Sequence, residues 1–235
     1  MRRNLSVNQP ISVDFYDGYL FKFLQDIAAG EDGDKVGLYH YYQARVQRKL
    51  GGLIDYEGAL ASYLLAEFPC DTRFVHAGIG IGTTTSLLAS MGRRTTGVEA
   101  EPRRMALARR LRDSLCAMWP DVAARYALVE GFFPDVIGTC DIPVGPATVV
   151  FFTNFVGASS VTAENRILDA LQFFGHAVIE MRMFARTRDE PSDRADLLQS
   201  LLGRGYCDEG AILGEVPGTY IRRFRTHNAQ ITYSA

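Results

Sequence analysis

Lysine is scarce in this sequence, confined to Lys22, Lys35 and Lys49, while arginine is abundant. The formal net charge is only −2, so there is no basic field to attract a phosphate backbone, and a nucleic-acid partner is not expected. The cysteines, Cys70, Cys116, Cys140 and Cys207, form no CxxC pair and have no histidines at ligand spacing. Zinc would need clustered thiolates or imidazoles, and a disulfide scaffold would need far denser cysteine. The four read as reduced thiols in a cytoplasmic protein that holds no metal. No run approaches the roughly 18 apolar residues that cross a bilayer, so no membrane association is expected. Arg2 and Arg3 are followed by Asn8, Gln9, Pro10 and Asp14, not by the apolar stretch of a secretory leader.

What is present is ordinary globular chemistry. The chain has 235 residues, 47% hydrophobic and 22% charged, enough for one large domain with an appendage. Residues 11–69 are aromatic-rich and helical in pattern. Tyr19, Leu20, Phe23, Leu24 and Ile27 recur at helix spacing before an exposed loop at Glu31-Asp32-Gly33-Asp34. Further helices are predicted over Leu38–Leu50 and Asp55–Phe68. From residue 70 the texture changes: short apolar runs (Arg73–Ala77, Thr95–Val98, Tyr126–Val129, Ala147–Phe152, Ala177–Met181) alternate with helical stretches (Thr83–Met91, Pro102–Met118, Glu164–Phe174, Ser192–Arg204). Such alternation builds a mainly parallel, doubly wound sheet covered on both faces. Two final strands, Gly210–Val216 and Thr219–Arg225, flank Pro217-Gly218 as an antiparallel hairpin. The expectation is an α/β fold: a helical cap or lid over residues 1–69 and a Rossmann-like domain over 70–235.

The most informative segment is Phe74-Val75-His76-Ala77-Gly78-Ile79-Gly80-Ile81-Gly82-Thr83, a buried strand running into a glycine turn that opens a helix. Glycines at 78, 80 and 82 let the backbone turn sharply and approach a ligand that meets the free N–H groups of the helix start. Thr83 stands where a dinucleotide-binding GxGxxG has its last glycine, which favours a nucleoside without a pyrophosphate. Glu99 lies 21 residues beyond Gly78 and ends the next strand, where a carboxylate accepts from both ribose hydroxyls. Glu101 starts the following helix and reads as a cap.

On these residues the chain resembles the class I S-adenosylmethionine-dependent methyltransferases, over about residues 70–235 and including the terminal hairpin. The resemblance implies S-adenosylmethionine as cofactor, lined by Gly78, Gly80 and Gly82, with Glu99 on its ribose. His76 takes the place where the family usually has an acid. An imidazolium there would repel the methionine ammonium, so His76 is expected neutral, or another residue supplies the counter-charge. After the third strand the family often carries an acid. Here Phe132 holds that place, with Glu130 before Gly131, and Phe132 is expected on the adenine face with the amides of Gly131 and Phe132 on the base edge.

The strand Thr148–Phe152 ends in Thr153-Asn154-Phe155, the end that faces the transferring methyl group in this family. The Asn-Phe pair is also locally similar to non-SET histone lysine methyltransferases, over about a dozen residues. Asn154 can accept from an amine and Phe155 can wall the channel; a capping Asn and a core Phe weigh equally. Tyr39-His40-Tyr41-Tyr42 places four rings around most of one helical turn, so they cannot share one buried face; His40 or Tyr41 is the candidate proton acceptor, and simple packing is the alternative. The expected activity is methyl transfer to an N or O nucleophile of a small molecule, with a homo-oligomer left open. The rivals are a noncatalytic cofactor-binding protein and a nicotinamide-dependent oxidoreductase, the latter requiring no terminal hairpin.

Overall fold

The structure is a computed structural model, and it describes residues 11–29, 40–153, 161–181, 192–213 and 221–226. Three helices come first: α1 (Val13–Ala28), α2 (His40–Arg48) and α3 (Asp55–Glu67). Then β1 (Arg73–Ala77), α4 (Thr83–Ser90), β2 (Arg94–Glu99), α5 (Pro102–Met118), β3 (Tyr126–Glu130), β4 (Gly145–Phe152), α6 (Val161–Ala170) and β5 (Phe174–Glu180) follow. The described chain closes with α7 (Ser192–Gly203), β6 (Cys207–Ile212) and β7 (Ile221–Arg225). The seven strands form one sheet in the order β3-β2-β1-β4-β5-β7-β6, parallel from β3 to β5, with β7 antiparallel to both β5 and β6.

The expected strands and helices are all found, several with shifted ends. The fifth strand starts at Phe174, not Ala177, because a 3-10 turn over Leu171–Phe173 ends the preceding helix early. The sixth strand starts at Cys207, ahead of the expected Gly210, and carries a bulge between Asp208 and Gly210. The Pro217-Gly218 turn and the Glu31–Asp34 loop lie outside the described residues. Helix ends follow local chemistry. Glu101 caps α5 by accepting from the Arg103 and Arg104 amides, with Pro102 in the first turn, and Ser12 caps α1 through the Phe15 amide.

Alternation along the strands sends side chains to two cores. Phe74, Val149, Phe151 and Val178 face one side with α4 and α5, whereas Val75, Ala77, Val150, Phe152 and Ile179 face the other with Leu168, Leu197 and Leu201 of α6 and α7. Helices α1 and α3 join the first core: Tyr16, Leu20, Leu24, Leu60 and Leu64 pack with Leu87 and Leu88 of α4. Sandwiched between these helices and the sheet, α4 is buried along its whole length, Thr83 to Ser90. Arg93 ties the layers together, donating to Pro69 O (2.6 Å), Leu65 O (2.8 Å) and Phe68 O (2.9 Å) at the end of α3. Among the described residues no helix is long and apolar enough to cross a membrane.

Candidate functional site

Strand order reverses between β1 and β4, the place where connections leave in opposite directions and open a crevice at the carboxyl ends. The glycine turn lies there. Gly78, Gly80 and Gly82 have φ of 69°, 60° and 82°, a region that costs any other L-residue about 1–2 kcal/mol. The turn is pinned to the neighbouring strand by Gly78 N and Ile79 N donating to Val98 O, at 2.8 and 3.1 Å.

Glu99 ends β2 and is buried, with its carboxylate turned toward that turn. Oε2 accepts from Gly80 N at 2.8 Å and Oε1 from Glu101 N at 2.9 Å. Each oxygen retains a second lone pair for another donor. Gly82 has a different requirement from a ligand's approach. A Cβ at this position would overlap the hydroxyl of buried Tyr126, so the residue is glycine partly to make room for β3.

His76 stands at the crossing point of β1 and β4. Its Nδ1 lies 2.8 Å from Thr85 Oγ1 and its Nε2 lies 2.9 Å from Thr153 Oγ1, while its ring stacks on Phe151, its register partner on β4, at 4.1 Å. Burial pushes its pKa down to about 3. The imidazole is therefore neutral at physiological pH, with one ring nitrogen donating and the other accepting. Thr153 is thereby fixed at the tip of β4, just ahead of Asn154 and Phe155, which lie outside the described residues. Of His40 and Tyr41 only the backbone, in the first turn of α2, is described.

The third-strand residues depart from expectation. Glu130 pairs in register with Glu99, yet it is solvent-exposed and bridged to Arg109 Nη2 at 2.7 Å. The Gly131 amide donates to Glu99 O at 2.9 Å, so it is already used and is not offered to a base edge. Phe132 is half-buried and packs toward the second core, beside Val129 and Ile137.

A cluster that the sequence did not point to surrounds the first turn of α4. Glu57, 3% exposed, accepts from the hydroxyls of Thr83 and Thr84 (the latter at 3.0 Å) and from Ile54 N at 2.8 Å. Tyr42 OH lies 2.8 Å from Thr83 Oγ1 and 3.5 Å from Glu57 Oε1, and Tyr16 OH donates to Thr83 O at 2.9 Å. Burial pushes the Glu57 pKa up, and the hydrogen bonds from Thr83, Ile54 and Thr84 pull it back. In sequence Glu57 is simply an acid early in a helix, the ordinary signature of a cap. Only the docking of α3 on α4 makes it a buried carboxylate.

This sheet order with its antiparallel β7 is a fold shared with solved methyltransferase structures. The chain is similar to magnesium protoporphyrin IX methyltransferase (ChlM) from Synechocystis PCC 6803, with 14% identity over 90% of this chain and 92% of that one, TM-score 0.53. It is also similar to a TehB-like SAM-dependent methyltransferase from Corynebacterium glutamicum, with 17% identity over 80% of this chain and 96% of that one, TM-score 0.53. The methyltransferase domain of bacterial CtHen1-C superposes with TM-score 0.55 and 12% identity, over 72% of this chain and 96% of that domain. No protein-family model and no curated protein sequence matches the chain.

Proposed function

We propose that this protein is an S-adenosylmethionine-dependent methyltransferase acting on an N or O nucleophile of a small molecule. The observation that carries the reading is the meeting of Glu99 with the glycine turn. A buried carboxylate with unused lone pairs closes the crevice edge of a left-handed backbone loop, an arrangement that suits a nucleoside's ribose hydroxyls. The residues present fit the cofactor: Glu99 would hold the ribose, Gly78 and Gly80 would flank it, and Thr153 would stand beside its reactive end.

S-adenosylmethionine supplies a methyl group on a sulfonium, and the protein's task is then to orient the nucleophile and take up its proton. His76 is unsuited to take that proton, because its buried ring stays neutral down to about pH 3. It serves to hold Thr153. The proton acceptor is assigned instead to His40 or Tyr41 of α2, with Asn154 accepting a hydrogen bond from the nucleophile and Phe155 walling the channel. A small-molecule acceptor is favoured by the near-neutral net charge of −2 and by the likeness to ChlM, which covers 90% of this chain. The antiparallel β7 between β5 and β6 speaks against the nicotinamide reading.

Melting shifts test the assignment. S-adenosylmethionine and S-adenosylhomocysteine at about 100 times their dissociation constants are expected to add roughly 2.7 kcal/mol of stability, with no effect of NAD. A shift with NAD alone defeats the reading; a shift with the methyl donor but no turnover across amine, hydroxyl and thiol panels supports a noncatalytic binder. Glu99→Ala should weaken both adenosine ligands at least tenfold, by about 1.4 kcal/mol or more. Unchanged affinity would mean that the ribose is held elsewhere.

A further inference from the structure

Glu57 presents an electrostatic imbalance that its hydrogen bonds do not resolve. It is 3% exposed, and every described group that touches its carboxylate is neutral: Thr83, Thr84, Tyr42 and the Ile54 amide. It makes no ion pair with any described residue, and Arg45 acts on it only at a distance, behind burial and the hydrogen bonds in effect. Burial raises its pKa, the hydrogen bonds from Thr83, Ile54 and Thr84 and the distant Arg45 pull it back, and a cation bound beside it would restore the ionised form. Buried carboxylates are normally matched by a cation, and among the described residues none touches this one.

Its position says which cation. Glu99 marks the ribose end of the proposed ligand at the tip of β2, and the sheet order runs from β2 to β1 to β4. A ligand extending from Glu99 toward the β4 tip therefore crosses the glycine turn and the start of α4, the turn whose Thr83 and Thr84 hydroxyls bond Glu57. His76, on the sheet side of the same helical turn through Thr85, is neutral and brings no charge. The Tyr42 contact with Glu57, at 3.5 Å, is the longest of its bonds and the one most readily exchanged for a stronger donor.

We propose that Glu57 is the counter-ion for the α-ammonium of the donor's amino-acid tail. The negative charge missing at His76 is thus supplied from the N-terminal helices, and those helices complete the cofactor site rather than merely covering it. This inference rests on the methyltransferase reading above.

The test is calorimetric binding of two adenosine ligands to the full chain: S-adenosylhomocysteine, which carries the ammonium, and 5′-methylthioadenosine, which lacks the amino-acid tail. Glu57→Gln keeps the size and removes the charge. It should weaken S-adenosylhomocysteine by about tenfold or more while 5′-methylthioadenosine changes by less than about twofold. A purely structural role for Glu57 would lower both affinities alike, and that result, or no change in either, overturns the proposal. Should the Gln variant not fold, Glu57→Asp withdraws the charge by one methylene and is expected to show the same selective loss in smaller degree. Failure of the unaltered protein to bind either ligand would instead overturn the methyltransferase reading itself.

Discussion

Substitution of Gly82 separates two physical requirements that coincide at one residue. Its φ of 82° is left-handed, and alanine there is expected to lose about 1–2 kcal/mol from backbone strain alone. The new Cβ would also overlap the hydroxyl of the buried, rigid Tyr126 ring. Such overpacking adds about 1–3 kcal/mol, so Gly82→Ala should lose about 2–5 kcal/mol in all. The next neighbours, Ile79 Cδ1 at 3.5 Å and Ala108 Cβ at 3.6 Å, are at ordinary contact. Removing only the hydroxyl should therefore relieve the collision. Tyr126→Phe by itself should be neutral or stabilising, because that hydroxyl is buried without a hydrogen-bond partner among the described residues. Combined with Gly82→Ala it should restore about 1–3 kcal/mol, leaving the backbone strain behind. Urea unfolding of the four proteins, compared by midpoint at a common slope, reads the coupling. Additive effects, with no recovery in the double variant, would refute the steric account.

Two further outcomes follow from buried polar groups. The unfolded chain protonates His76 below its ordinary value of 6.5, while the folded protein resists until about 3, so the folded state loses stability as pH falls through that window. Relative to His76→Gln, the native protein should lose about 1.4 kcal/mol per pH unit there; parallel stability curves would show that the ring is not desolvated. Arg93 binds three carbonyl oxygens around the end of α3. Arg93→Ala should lose about 3–5 kcal/mol, and Arg93→Lys should recover less than half, because one ammonium cannot span a planar fork's three acceptors. Full rescue by lysine in urea denaturation would contradict that geometry.

Much of the fold was readable from local pattern. The strand at Arg73–Ala77 and the helix at Pro102–Met118 coincide with expectation to the residue, because continuous apolar runs, a proline at a helix start and a capping acid act over a few positions. The glycine turn and Glu99 were legible for the same reason. Strand ends after residue 170 were not, since a 3-10 turn and a bulge are settled by packing on neighbouring strands.

The amino-acid order by itself determined the alternation of elements, the left-handed turn and the acid at the next strand's tip, all of which depend on spacing along the chain. Only the tertiary structure decided the charge states and partners within the site. His76 is neutral because Phe151, Thr85 and Thr153 exclude water around it. Gly131 spends its amide on Glu99. Glu57, unremarkable on an isolated helix, becomes a buried carboxylate when α3 closes over α4. Desolvation is a property of what surrounds a group from all sides, and for Glu57 those sides include Thr83 and Thr84, 26 and 27 positions away.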